Sequence, residues 1–588
     1  MRGTHRITLA LAATTLMGVS AEPDFSQEQL ALLDPTAQMM ALCSGRGGEA
    51  SMRASLSLAA AALQETAATA IPLYKGLGKV DFPISTASPR AQLYFNQGLS
   101  FAYGFNHAAA IASFREAQRL DPACAMCWWG EALAHGPNIN APMMPDAGLL
   151  AYQSIERARQ LSGPVQPVER ALILALAKRY SDKTDAARGP FDGAYADAML
   201  TVARYYPAHD DIALLAAEAA MDTLPWDYWE VDRRTAKPRL GEAVRLVETV
   251  MARNPAHPQA PHLYIHLMEN GPDPKRAEVA ADRLAAPLAA EAGHLVHMPA
   301  HIYFRLGRWK DSIAANLAAV RADEAWIKAS GDQGMVRYGY YPHNVHFIVT
   351  SAQMAGDLPT AMRESAKLAT ILDPETATKI AWIQAIHAAP YFSALQFQSP
   401  AELLSMPAPD ARLPYVTAMR HYARAVAFAQ QDDERGFSSE IGALRKVANS
   451  GALQPMVDQG VPAPDLLQLA ETVARGRFAL ARGHYREAAS LYRQAIAIED
   501  RIPYMEPPYW YFPVRQSLGA ALYRAGRHDE ARQAFTEALA RAPNNGWALF
   551  GLAATERMLG RPAHAAAARA ALKRAWLGDP DWLRMERL

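Results

Sequence analysis

Apolar residues along this chain recur at intervals of three and four, and the runs that carry them are cut by proline, glycine and Asp-Pro pairs. That period places one apolar stripe on each of many helices. The alternating runs that make strands are nearly absent, so the pattern predicts an all-α fold. It is least regular over residues 22–85, expected to form an N-terminal arm or cap. Helical patterning resumes over 86–260 and continues through a histidine-bearing stretch, 261–374. It becomes degenerate over 375–470 and regular again over 471–588. At 588 residues the chain is too long for one compact core, so a repeat array or several domains are expected.

One motif recurs within that pattern. Tyr94, Gly98, Phe101, Ala110, Phe114, Ala117 and Pro122 stand at the spacing of the tetratricopeptide repeat, about 34 residues long. Gly476, Gly483, Ala488, Tyr492 and Ala495 repeat it, as do Gly519, Gly526, Ala531, Phe535, Ala538 and Pro543. Each such unit is a helical hairpin that cannot bury its apolar face alone, so neighbours stack into a solenoid, expected here to be right-handed. The first helix of each hairpin lines the concave surface. Between about 140 and 260 the sequence predicts helices without a repeat register.

Seven of the 17 histidines fall between residues 262 and 346, at helical spacings. They are His262 and His266, then His294, His297 and His301, then His343 and His346. The turn residues Pro272, Gly307 and Gly356 give a ruler. It assigns Val296, Pro299, Ala300 and Tyr303 to packing and turns His294, His297 and His301 toward the groove, because residues three or four apart share a helix face. The same ruler turns the other two pairs inward. Neutral imidazoles so grouped suit copper, zinc or iron. His262 and His266 stand four apart, as do His297 and His301, but no glutamate directly follows the first histidine of either pair, so the zinc-protease motif is absent. The alternatives are a groove that hydrogen-bonds an organic ligand or peptide, or satisfied interior histidines. Ligands require nitrogens that converge on a point; a peptide groove spreads them along a line.

Other residues add candidates. Gln92, Phe95 and Leu99, with Met126, Trp129 and Leu133, would make an apolar wall beside the histidines, or pack against the N-terminal arm. Cys124 and Cys127, at a helix start, form a candidate disulfide, or a soft-metal site with Met126, Met143 or Met144. Glu218 and Asp222, four apart on one helix, would add carboxylates to a metal site or sit in solvent. The run from Glu506 to Arg515 is rich in proline and aromatics and is placed at the mouth of the groove, with Tyr509 and Trp510 as contacts. Arg515 would meet an anionic ligand or a structural carboxylate.

The chain carries 59 basic and 59 acidic side chains, so no basic field would draw in nucleic acid. Arg2, Arg6, the apolar stretch to Val19 and the small residues ending at Ala21 read as a signal peptide, 1–21, directing the protein to the periplasm or outside the cell. No later stretch is apolar for long enough to span a bilayer, so stable membrane insertion is not expected. Cys43 has no evident partner. No phosphate loop, serine elbow or dinucleotide fingerprint is present.

Asp121-Pro-Ala-Cys-Ala-Met-Cys-Trp-Trp-Gly130, Gly136-Pro-Asn-Ile-Asn140, His297-Met-Pro-Ala-His301 and Pro507-Pro-Tyr-Trp-Tyr511 resemble a family of bacterial exported tetratricopeptide proteins. The resemblance covers most of the chain after residue 85 and implies the fold; that family has no established general activity. The sequence thus points to a solenoid that holds a copper, zinc or iron ion through its histidines, with a small organic molecule or a peptide in the groove. The competing reading is a scaffold for a peptide or protein partner.

Overall fold

The computed structural model describes residues 71–143, 147–182, 187–230, 232, 234–271, 273–286, 288–510 and 512–588. The expected signal peptide, the arm up to residue 70, Cys43, Met144 and the turn residue Pro272 lie outside them. Helices occupy nearly all of the described chain, and among the described residues the only extended pairings are the isolated bridges Asn138–Ala141 and Trp229–Ala236. Each helix packs on the next, which is the hairpin array that the spacing predicts. No described helix is long and apolar enough to cross a membrane.

The repeat residues have a physical role. Helix Pro89–Tyr103 starts where the Ser88 side chain accepts a hydrogen bond from the Ala91 N–H, and its proline needs no donor partner there. A Cβ on Gly98 or Gly130 would lie 2.6 or 2.3 Å from the Phe114 ring, so only glycine lets the flanking helices close over that phenylalanine. Gly519 and Gly551 do the same for Phe535. Between these ends, Pro374–Lys379, Ile383–His387, Ala389–Phe397 and Pro400–Ser405 are short helices. Prolines 374, 390 and 400 open three of the four, because a proline inside a helix removes a donor and clashes with the preceding turn. Regular hairpins return with Pro414–Gln430 and Glu434–Ala448, earlier than the sequence pattern indicates.

The array curls back on itself. The Trp309 indole donates to Asn544 O at 3.0 Å, the Trp547 indole to Gln353 O at 2.9 Å, and Leu577 N–H to Ala355 O at 2.8 Å. Gly307, at φ +68°, lies so close that an added Cβ would stand 1.8 Å from Pro543 O. Trp576 packs edge-on against Trp547, so the C-terminal helices are seated on the chain's own centre. From the other side, Glu291 N–H donates to Gly76 O at 2.9 Å, and Tyr74 and Phe101 pack on Trp326. The apolar core falls into three clusters, and the central histidines lie where the second meets the third.

Candidate functional site

Three stretches of helix bring the histidines together. Gln259–Glu269 carries His262, His266 and, three residues on, Glu269. The next helix is broken: Gly293–His297 ends at Met298 and Pro299–Arg305 restarts after it, because Pro299 cannot donate to the preceding turn. Its two parts carry His294, His297 and His301. The third, Tyr341–Ala355, brings His343 and follows one π-helical turn, Val336–Tyr340, a feature frequent at functional sites. Tyr504 and Glu506 reach the same place from the loop after Tyr485–Glu499, about 200 residues downstream.

Two histidine triads result. His262, His266 and His294 form one, and His297, His301 and His343 the other; within each, the ligand atoms lie within 4.8 Å of one another. In the second triad three Nε2 atoms converge: His297 Nε2 is 2.8 Å from His301 Nε2 and 3.2 Å from His343 Nε2. In the first, His262 Nε2 is 3.2 Å from His294 Nε2. Glu269 joins the two triads. Its Oε1 accepts from His266 Nδ1 at 2.6 Å, and its Oε2 is 2.5 Å from His301 Nδ1. Glu506 Oε2 is a second partner of His301 Nδ1, at 2.7 Å.

The outer partners fix which ring nitrogen carries a proton. Asn316 gives its amide N–H to Ser312 O, so its Oδ1 accepts from His297 Nδ1 at 2.6 Å and a neutral His297 keeps its lone pair on Nε2. Gln259 gives its amide to Glu218, so its Oε1 accepts from His262 Nδ1 at 2.8 Å, and that lone pair is again on Nε2. A carboxylate or amide oxygen on Nδ1 with Nε2 aimed inward is how metal-ligating histidines are held. His266 Nε2 and His294 Nδ1 have no hydrogen-bond partner although both residues are buried.

Electrostatics separate His301 from the rest. Burial, with the like charge of neighbouring imidazoles, holds His266, His294, His297 and His343 well below the usual histidine range and His262 at about 3. Burial would lower His301 as well, but the Glu269 and Glu506 carboxylates outweigh it and raise it to about 10. Burial in turn pushes the Glu269 carboxyl up. A proton on His301 Nε2 is therefore what meets the His297 lone pair. A cation among the three Nε2 atoms would satisfy the same lone pairs. The carboxylate group Glu269 and Glu506 with His301 offers a third set of donors that can hold an ion.

Both triads border one chamber of about 100 Å³. His266, His294, His301 and His343 form one side with Glu269 and Glu506; Trp226, Tyr340, Met335 and Trp382 face them. Phe105 covers the first triad, its ring centroid 4.7 Å from His262 and 5.2 Å from His294.

Several sequence expectations are corrected here. The histidines do not line an open groove: His262 and His297 are completely buried, because Phe105, Trp226, Tyr340 and the 504–506 loop fill the concave side. His346 is buried on the same helix as His343 but belongs to none of the three ligand groups. Trp129 is a core residue, with its indole donating to Leu172 O at 3.3 Å, and Phe95, Leu99 and Met126 are buried in the same N-terminal cluster. Tyr509 is buried, and Trp510 packs against Phe392 and Tyr422 in the C-terminal core, so neither is a groove contact. Arg515 meets both oxygens of Asp500, at 2.9 and 2.8 Å, and lies 3.5 Å from Glu499 and Glu537; it is a structural ion pair. Asp222 is buried against Arg179 at 2.7 Å and Glu218 is tied to the site through Gln259, so neither simply faces solvent. One expectation stands: Cys124 and Cys127 form a disulfide, as their spacing at a helix start suggests.

Sequence reasoning passed over Glu269, Tyr504, Glu506, Gln259 and Asn316. Glu269 has a local signal, three residues after His266, and Glu506 opens the segment already singled out. Gln259 and Asn316 have none.

Two segments of the chain match the tetratricopeptide repeat, residues 91–124 and 514–545, so the chain contains such repeats near both ends of its helical array. No curated protein sequence matches it. Among solved structures, the human IFIT1 dimer with m7Gppp-AAAA is similar at 11% identity, over 84% of this chain and 91% of that one, with a TM-score of 0.28. Yeast Tom70 is similar at 8% identity, over 84% and 94%, with a TM-score of 0.26. At such scores the architecture is read from the helices themselves.

Proposed function

We propose that this protein binds a first-row transition metal ion, copper, zinc or iron, in the buried histidine cluster. The observation that carries the reading is the convergence of the His297, His301 and His343 Nε2 atoms, each within 3.2 Å of another, while Asn316 and Glu506 occupy Nδ1 of the first two. Lone pairs aimed at one another are unfavourable unless a proton or a metal cation lies between them, and neutral imidazole is a common ligand of these metals. The ion would serve metal handling, or act as a Lewis acid or redox centre on a small molecule in the chamber. The sequence's leader-like start and the Cys124–Cys127 disulfide support export to an oxidising compartment.

Tetratricopeptide arrays typically hold peptides or partner proteins, and the two repeat matches support an interaction scaffold. In the metal reading the scaffold and the cluster coexist, because partners would dock on the outer surface while the concave centre is filled by the chain's own loops.

Elemental mass spectrometry of tag-free protein tests the proposal, with a His297→Ala/His301→Ala variant beside it. At least one equivalent of metal in the parent and a lower content in the folded variant are expected. Absence of metal in both, even after reconstitution with copper, zinc and ferrous iron, would leave the scaffold reading alone.

A further inference from the structure

We infer that the cluster is built for two ions, one in each histidine triad, with Glu269 orienting a ligand of each. The inference rests on the metal reading above and adds a second site to it. Three independent features at His262, His266 and His294 carry it. First, this triad repeats the outer arrangement of the other. Gln259 Oε1 accepts from His262 Nδ1 at 2.8 Å and Glu269 Oε1 from His266 Nδ1 at 2.6 Å, which leaves Nε2 of both rings as the donor atoms. Second, its valences are not closed by protein. His266 Nε2 and His294 Nδ1 are without partners in residues only 1% and 6% exposed. The unpaired His266 Nε2 is what an ion would engage, together with His262 Nε2 and one nitrogen of His294.

Third, two of the five non-glycine residues at positive φ among the described residues stand over this triad. They are Phe105 and Trp226, at 55° and 66°, a region that bulky residues avoid. Their rings are the covers of the triad: Phe105 stacks over His266 with centroids 5.9 Å apart, and Trp226 meets His266 edge-on at 5.0 Å. Strain of this kind persists only where the surrounding structure imposes it, and here it places two aromatic walls that keep water from the imidazoles.

The triads are adjacent but distinct. The closest rings across the boundary, His266 to His301 and His294 to His297, have centroids 6.1 and 6.2 Å apart. Both triads face the same chamber, of about 100 Å³, which Trp226, Tyr340, Met335 and Trp382 wall on the other side.

Cobalt(II) titration of the metal-free full-length protein, followed by visible absorption, reads the stoichiometry. The parent is expected to break at two equivalents. His262→Gln/His294→Gln and His297→Gln/His343→Gln, each checked for native circular dichroism, are expected to break at one. A parent that breaks at one equivalent overturns the two-ion inference and leaves the metal reading standing, whatever the variants do. A parent that binds no cobalt, zinc or copper overturns both.

Discussion

Two buried polar clusters in this molecule are put together in opposite ways. Around Arg515 unlike charges meet: the guanidinium is held by both oxygens of Asp500 and flanked by Glu499 and Glu537, and Arg541 adds a further contact to Asp500. Around His297 like meets like: imidazole nitrogens face imidazole nitrogens, and the carboxylates stand outside the ring of histidines rather than within it. The first arrangement completes its own electrostatics and explains itself as a fastening between two C-terminal helices. The second needs a ring proton or a metal ion between its facing nitrogens, and Glu269 and Glu506 favour the protonated form of His301. Burial and polarity alone do not mark a functional site; a mismatch among the donors does.

The largest effect that sharpens the contrast is metal removal. An ion present at a thousand times its dissociation constant stabilises the folded state by about 4 kcal/mol. Dialysis against a chelator should lower the melting temperature of the parent, and that of His297→Ala/His301→Ala by less, since only one triad remains intact in it. Arg515→Ala should act the other way, destabilising by about 3 kcal/mol in urea unfolding, because it strands several carboxylates, while metal content stays at the parent level. Equal losses of metal in both variants would erase the distinction.

Glu269→Gln tests the outer shell. A glutamine offers one accepting oxygen where the two histidines need two, and its amide N–H would face an imidazole N–H. Metal affinity should fall about 10- to 100-fold by competition with a chromogenic chelator, with the fold retained. The smallest effect belongs to Cys124→Ser/Cys127→Ser. A loop this short contributes about 2 kcal/mol by chain entropy, so the variant should unfold at lower urea and bind metal as the parent does.

The hairpins at both ends were legible in the sequence because their glycines and aromatics answer to one local contact, Phe114 between Gly98 and Gly130 or Phe535 between Gly519 and Gly551. The histidine pairs were legible for the same reason: four residues along a helix is a local relation. What escaped is set by curvature. Whether Trp129 or Trp510 faces a groove depends on how far the array curls, and here it curls until its own later turns cover the inward positions. Glu506 reaches His301 across 205 residues, a contact no spacing encodes. The spacing put Pro299 at a packing position of one continuous helix; the break there, with His294 and His297 on one short helix and His301 on the next, came only with the structure.

The most direct test of the account is anomalous diffraction from a crystal of the protein as purified, with data on both sides of the absorption edge of the metal found by elemental analysis. The account expects a peak about 2.0–2.2 Å from the Nε2 atoms of His297, His301 and His343. A structure in which those nitrogens keep the 2.8 and 3.2 Å contacts seen here, with no anomalous peak among them even after metal soaking, would contradict it.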